Sequence, residues 1–393
     1  MMLGYLLARA GIDVVVLEKH QDFLRDFRGD TVHPSTLDVL GELGLLDRFL
    51  TRPHQELRQV KVEIGQEIFQ VADFGRLHTR CRFLAFMPQW DFLDFIAETA
   101  KPLPNFRLLL STAGQRLLRD GNGIVGVSAL GPDGPLEIKA GLVVAADGRS
   151  SLLREQAGLA VERLSAPIDV LWFRVGRTRD VVEQTLGRVD PGRFMITIDR
   201  GDYFQCAYVI PKGGADALKA GPIEPFRQKV VAAAPYLAPH IADVGSWDDV
   251  KLLSVAVDRL ARWSRPGLLC IGDAAHAMSP IGGVGINMAV QDAVAAANLL
   301  TPGLKAGGPM SELALDAVRR RRLFPTRLTQ AFQIFVQNRV LLPTLAGRPL
   351  KVPQIVRLLD RWPALQALPA RFIGLGARPE HVSATLQGTT DRN

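Results

Sequence analysis

LLCIGDAAHAMSPIGGVGINMAVQDA, residues 268–293, decides the architecture of this chain. Residues 268–271 are uninterrupted apolar, the pattern of a strand buried on both faces of a parallel sheet. The strand runs straight into Gly272-Asp273, which sets a carboxylate at its carboxyl end, where ligands collect in open α/β sheets. Beyond Pro280, the run Gly282-Gly283-Val284-Gly285-Ile286-Asn287 opens a long helix. A stretch so poor in side chains lets backbone N–H groups approach a flat ring system. The positive end of the helix stabilises negative charge on such a ring. The bland alternative is a glycine loop used only for helix packing.

Residues 142–159, LVVAADGRSSLLREQAGL, carry a second strand-to-acid transition. An apolar strand feeds the tight turn Asp147-Gly148, and a helix begins near Ser150. Gly148 permits the turn, and the helix terminus with Arg149 attracts phosphate; a plain strand-turn-helix with Asp147 as a turn residue is the other reading. At the amino end, MMLGYLLARAG reads as the back half of an amphipathic helix closed by Gly11. Residues 12–17 form a further buried strand ending at Glu18. A carboxylate there can accept from both hydroxyls of a ribose, and an ordinary strand-end acid is an equal reading. Helix, turn, strand and acid make the second half of a nucleotide-binding βαβ unit.

Parallel-type strands thus recur near residues 12, 142 and 268, whereas 170–210 alternates as in an antiparallel sheet and extended segments lie near 60–71. The expected fold is α/β, with one nucleotide-binding domain assembled from residues 1–56, 78–165 and 262–310. A β-sheet domain from 57–77 and 166–261 is inserted between these pieces, and 311–393 is a helical region with a polar tail, expected to be disordered over 383–393. Helices are expected over 35–50, broken at Gly41 and Gly44, and over 90–100.

The 393 residues carry a net charge of +7, which favours anionic cofactors or ligands. The basic residues are scattered, and the cluster Arg319 to Arg322 reads as a solvated helix face. Neither aromatic interleaving nor zinc spacing points to nucleic acid. Cys81, Cys206 and Cys270 lie far apart, which argues against a disulfide framework or metal site and fits a reducing cytosol. No apolar run reaches membrane-spanning length. Arg9, Asp13 and Glu18 interrupt what would have to be a signal peptide, so a cytoplasmic protein without stable membrane insertion is expected. His276 lacks a second ligand or nucleophile at usable spacing.

Together these residues resemble the FAD-dependent monooxygenases related to para-hydroxybenzoate hydroxylase, which include polyketide and antibiotic hydroxylases. The likeness rests on VVVLEK (14–19) followed by RGDTVHPSTLDVLGELGL (28–45), on AADGRSSLLREQAGL (145–159) and on GDAAHAMSPIGGVGIN (272–287). With MPQWDFLDFIAE (87–98) it extends from the first residue to about residue 300. It implies a Rossmann-like FAD-binding domain of the GR2 type, interleaved with an antiparallel substrate domain and followed by helices. Glu18 would bind the adenosine ribose, Arg28 would lie against the flavin or its phosphates, and Gln89 would contact the ribityl or phosphate region. Asp147 and Gly148 match an Asp-Gly motif shared between FAD and the nicotinamide cofactor. Gly272 and Asp273 would hold the ribityl or pyrophosphate side. Pro280 and the backbone of Gly283, Gly285, Ile286 and Asn287 would face the isoalloxazine ring.

Members of this family start with a strand and a GxGxxG loop. Here Met1 falls inside the helix after that loop, so roughly fifteen to twenty further residues are expected upstream. A misassigned start and a real loss of FAD affinity are the two readings. The implied cofactors are FAD with NADH or NADPH as co-substrate, and the implied partners are an aromatic small molecule and O2, in a monomer or homodimer. In such enzymes reduced FAD adds oxygen at C4a and passes the distal atom of the hydroperoxide to an electron-rich ring. No catalytic acid, base, covalent nucleophile or metal is expected. Substrate contacts should come from the second sheet, where Tyr203 and Gln205 share one strand face and Phe204, Cys206 and Tyr208 the other. Either face reads equally as core, and Trp172 and Phe173 read as packing. The competing readings are a flavin-dependent reductase of the same fold and a flavoprotein that binds FAD weakly without activity. The WxWxIP signature of related halogenases is not present.

Overall fold

Strands Val143–Ala145 and Leu268–Cys270 lie side by side in parallel, Val143 opposite Leu268 and Ala145 opposite Cys270. The structure, a computed structural model, describes residues 1–24, 31–121, 123–178, 186–348 and 352–387. Leu268, Leu269 and Cys270 are fully buried, which is why that strand needs an unbroken apolar run. A short strand, Ser264–Arg265, closes the sheet on its other side in antiparallel sense. The strand Val14–Leu17 pairs in parallel with Phe106–Leu109. It is shorter and shallower than its apolar run suggests. Ile12 still belongs to the helix end, its N–H bonded to Leu7 O at 3.1 Å, and Val15 is 37% exposed. Helix Met2–Arg9 closes as expected at Gly11, with φ +83°. The helical stretch over 35–50, expected to break at Gly41 and Gly44, is two helices, Pro34–Glu42 and Leu46–Leu50. Gly44, with φ +71°, makes the break, whereas Gly41 sits inside the first helix against the Arg80 side chain.

Side chains from all three separated pieces share one core: Leu6 and Phe49, Phe95 and Val143, Trp263 and Val294. A seven-stranded sheet stands beside it in the order Lys251–Ser254, Ile168–Gly176, Tyr203–Pro211, Arg193–Asp199, Gly187–Asp190, Gln59–Ile64, Glu67–Asp73. Its strands come from two stretches of sequence separated by more than ninety residues. All neighbours are antiparallel except Gly187–Asp190 with Gln59–Ile64. We retain as a proposal the division into domains at 1–56, 78–165 and 262–310 against 57–77 and 166–261, which this strand order supports. One face of the sheet packs Phe173, Phe204, Cys206 and Tyr208 against Phe226 of helix Glu224–Ala233. The opposite face carries Val170, Ala207 and Val209 and meets Ile281 and Leu341.

The carboxyl-terminal region is built on helix Glu312–Val336, continued by a π-helical turn, Gln337–Leu341. Two expectations fail here. The arginine cluster is a solvated face only in part, because Arg320 is exposed but Arg322 is only 1% exposed. Its Nε donates to Asp292 Oδ1 at 3.0 Å and its Nη1 to Glu380 Oε1 at 3.2 Å. The tail is also ordered as far as Gln387: Val382 N donates to Glu42 Oε2 at 2.7 Å, and Arg9 donates to the carbonyls of Leu386 and Gln387. Residues 388–393 lie outside the described residues. Among the described residues, no helix is long and apolar enough to cross a membrane.

Replacing Arg322 with Leu takes a charged partner from each of two buried carboxylates, Asp292 and Glu380. Urea unfolding should show a loss of about 3–5 kcal/mol; a loss below about 1 kcal/mol, the range of exposed pairs, would show that this ion cluster does not hold the carboxyl-terminal helix in place.

Candidate active site

The two central strands set two acids side by side. Pairing continues one residue past each strand, Ile271 N donating to Ala145 O at 3.1 Å, and then the chains part. One turns at Gly148, φ +87°, into helix Leu152–Gln156, and Leu153 N points at Asp147 Oδ2 at 3.4 Å. The other turns at Gly272, φ +57°, and presents Asp273. Asp147 and Asp273 are both exposed at the same end of adjacent strands. Gly272 is required twice over. Its φ of +57° favours glycine, and a Cβ there would lie 3.1 Å from Ala289 Cβ on helix Gly285–Ala306; its N–H also donates to Asp292 Oδ2 of that helix at 3.0 Å.

The glycine loop bends at Gly282, φ +80°, and Gly283, φ +62°. A Cβ at Gly283 would collide with Thr31 Oγ1, which instead donates to the Gly283 carbonyl at 2.9 Å. At Gly285 the position of a Cβ opens on empty space. The helix starting there has no side-chain cap and no acid in its first turn, so its positive end is left for something else to meet. The Asn287 side chain is fully engaged. Its Nδ2 donates to Thr31 O at 3.0 Å and Gly283 O at 3.3 Å, and its Oδ1 accepts from His33 N at 2.9 Å and Thr36 Oγ1 at 2.8 Å. Only its backbone remains for a ligand, as the resemblance implies.

The other candidate residues stand on different elements. Gln89 begins helix Gln89–Ala100, three residues past Phe86, whose strand pairs with Thr31–Val32. Glu18 follows Val14–Leu17, its N–H donating to Leu109 O at 2.9 Å and its Oε1 accepting from His20 N at 3.0 Å. It stands on a strand pair separate from that of Asp147 and Asp273. Arg28 lies outside the described residues. Tyr203 is half-buried beneath the Arg174 guanidinium, 4.9 Å from its ring centre. Gln205 is 2% exposed and accepts from Arg200 Nε at 3.0 Å. Arg200, which no sequence pattern singles out, also lies 5.9 Å from the Phe86 ring and so joins the sheet to the strand beside the glycine loop. Phe204, Cys206 and Tyr208 belong to the core on the opposite face.

His276 is a strut. It is 1% exposed, with Nε2 at 2.6 Å from Asp292 Oδ2 and its ring 5.0 Å from that of Trp263. Burial pulls the Asp292 pKa up, but His276 and Arg322 outweigh it and hold the carboxyl below its ordinary range. Burial pushes the thiols of Cys81 and Cys270 up to about 11 and about 12 and raises Cys206 as well, so none offers a thiolate near neutral pH. Burial also holds His33 down at about 4, its Nδ1 lying 2.8 Å from Ile373 O. An uncapped helix terminus facing open space, on a helix that packs against the Gly272 turn, together with two exposed acids at the ends of adjacent strands, fits a dinucleotide whose hydroxyls need acceptors and whose ring needs N–H donors. Among the described residues no group of His, Cys, Asp and Glu is arranged to hold a metal.

Residues 1–331 match the family described as FAD binding domain. The chain is 32% identical to 6-methylpretetramide 4-monooxygenase of Streptomyces rimosus, an alignment covering 94% of this chain and 88% of that protein. It is 25% identical to protoasukamycin 4-monooxygenase of Streptomyces nodosus subsp. asukaensis over 80% of each. A crystal structure of a probable FAD-dependent monooxygenase from Pseudomonas aeruginosa superposes with a TM-score of 0.74 at 24% identity, covering 92% of this chain and 96% of that one. The last likeness carries the fold.

Gly283→Ala forces a side chain into a left-handed conformation against Thr31, and unfolding should show about 1–3 kcal/mol of lost stability; a neutral result would mean that the Thr31 contact yields freely. His33 gives a pH signature. Its folded pKa, about 4, lies below the ordinary 6.5, so on acidification the unfolded chain takes up the proton first. The contribution is therefore complete above pH 6.5 and lost between 6.5 and about 4, in total on the order of 3 kcal/mol. His33→Asn should flatten the stability profile across that window, and an unchanged slope would remove His33 as its source.

Proposed function

This chain belongs to the FAD-binding-domain family of flavin-dependent monooxygenases, and on that premise we propose that it hydroxylates an aromatic or polyketide-like small molecule with NADH or NADPH as reductant. The observation that carries the reading is the uncapped amino terminus at Gly285, opening on free space, of the helix whose Ala289 packs against Gly272, the residue before Asp273. When bound, FAD supplies the electron storage and oxygen activation that no side chain provides. The protein binds, orients and excludes water. The N–H groups of Gly285, Ile286 and Asn287 stabilise negative charge at the ring edge, and Pro280 and Gly283 keep side-chain bulk and an extra N–H away from its face. Gly272 and Asp273 serve the ribityl or pyrophosphate side, Asp147 and Gly148 the turn shared with the nicotinamide cofactor, and Glu18 the adenosine ribose. Gln89 and Arg28 complete the cofactor set.

The substrate lies between the glycine loop and the sheet face bearing Tyr203 and Gln205. Support comes from Ile281, which adjoins the loop and packs on that face, and from the Arg200–Gln205 pair. A guanidinium and an amide there suit a ring carrying oxygen substituents. The relatives named for 6-methylpretetramide and protoasukamycin point to substrates of that general kind. We assign no catalytic acid or base, and place the protein in the cytoplasm as a monomer or homodimer.

FAD titration of the chain, followed by NADH and NADPH oxidation with oxygen uptake across a panel of phenols and polycyclic aromatics, tests this. Saturable binding, aromatic-stimulated NAD(P)H consumption and matching oxygen uptake are expected. Asp273→Ala should raise the FAD Kd by about tenfold or more. Gln205→Ala should lower substrate stimulation and leave the FAD Kd in place. Turnover of an alkene without oxygen uptake would make the protein a reductase, and no FAD binding at all would end the reading.

A further inference from the structure

Residues 276–279 carry the chain from the strand-end acid toward the glycine loop without regular secondary structure, yet His276, Ala277 and Ser279 are buried. Buried backbone outside a ladder still needs partners. It finds them on one stripe of helix Glu312–Val336 and its π-helical continuation: Gln330, Gln333 and Gln337, each fully buried. Gln330 Nε2 donates to Asp258 O at 2.7 Å and Ala277 O at 3.1 Å. Gln333 Nε2 donates to Ser279 O at 2.8 Å and Ile281 O at 3.0 Å, while its Oε1 accepts from Ser279 N at 3.1 Å. Gln337 Nε2 donates to Ser279 Oγ at 2.7 Å. Ser279 is thereby held through N–H, carbonyl and hydroxyl by two glutamines.

Pro280 lies between the two carbonyls that Gln333 grips, and having no N–H it has no backbone donor with which to anchor itself. Ile281, the other end of the grip, packs on the substrate sheet. One amide group therefore fixes Pro280 relative to both Gly285 and the sheet. Two donors and an acceptor at that reach are an amide's inventory; a carboxylate of the same shape has no donors. We infer that Gln333 is a positioning residue for the flavin, setting how Pro280 and the glycine loop meet the ring and so its spectrum, potential and affinity. The inference rests on the reading above that FAD occupies this loop. Gln330 supplies an internal comparison, because it is equally buried on the same helix but grips the segment at Ala277, farther from Pro280.

The test uses the full chain saturated with FAD, in wild-type form and as Gln333→Glu, Gln333→Met and Gln330→Met. Thermal midpoint, FAD Kd, the long-wavelength flavin band and the midpoint potential are measured for each. All three substitutions should lower the thermal midpoint. Only the Gln333 variants should shift the flavin band and potential and raise the Kd by about tenfold, with Gln330→Met keeping wild-type flavin values. Should those Gln333 variants fail to fold, Gln333→Asn, which keeps the amide but shortens its reach to the Ser279 and Ile281 carbonyls, must show the same shifts in milder form. Flavin properties unchanged in Gln333 variants that are merely less stable would overturn the inference alone. A wild-type chain that binds no FAD would overturn the proposed function, and this with it.

Discussion

A carboxylate shut away from water keeps its charge only if donors replace the water it has lost. Asp292 has none of its surface exposed and meets three such donors: Gly272 N–H, His276 Nε2 and Arg322 Nε, at 3.0, 2.6 and 3.0 Å. Each arrives from a different part of the site. Gly272 is the turn that throws Asp273 out at the strand end. His276 begins the irregular segment leading to Pro280. Arg322 belongs to the carboxyl-terminal helix and extends the cluster to Glu380, whose other partner is Arg321. Asp292 itself lies two turns along the helix that starts at Gly285. The strand-end acid and the helix terminus are thus tied by one buried charge rather than by the loop that joins them in sequence.

The parts of this arrangement that were legible in the sequence are those in which neighbouring residues decide the outcome. Val143–Ala145 and Leu268–Cys270 announce themselves because burial on both faces demands a continuous apolar run, and the acids at their ends follow at once. The glycine loop is legible because positive φ at Gly282 and Gly283 leaves few residue choices. The illegible parts depend on partners far along the chain. The alternation of Tyr203–Pro211 defines two faces but not which of them is core, and only Phe226 and its helix settle that. Asn287 stands in the recognisable motif, yet its side chain serves residues 31–36, some 254 positions from His33. In the run Arg319 to Arg322 the helical period turns Arg322 inward, and its partner Glu380 is 58 residues later.

Two contacts among the described residues link the sheet to the glycine loop, and both end on the loop's own supports. Ile281 precedes Gly282 and packs with Ala207 and Val209. Arg200 lies over Phe86, which pairs with Thr31, the residue bonded to Gly283. Both contacts therefore bear on the backbone that presents the helix terminus, Arg200 through the Phe86 ring rather than through its hydrogen bond to Gln205.

Helix Glu312–Val336 shows the same logic from outside. Its first turns bury Leu315 and Val318 in the ordinary way, but from Arg322 on it is inverted: Arg322, Thr326, Gln330 and Gln333 are buried while Phe324, Leu328 and Phe335 are exposed. A rule that sends apolar residues inward places this helix the wrong way round. The cause lies in what it covers. The segment approaching the glycine loop must stay irregular, since a strand there would commit its N–H and carbonyl groups to a ladder and carry the chain past the turn at Pro280. Irregular buried backbone presents unpaired carbonyls, and an apolar helix face would leave each one at a cost of about 1–3 kcal/mol. Only side chains with donors can close that surface, so the helix turns its amides and its arginine toward the loop, and its phenylalanines take the positions that remain.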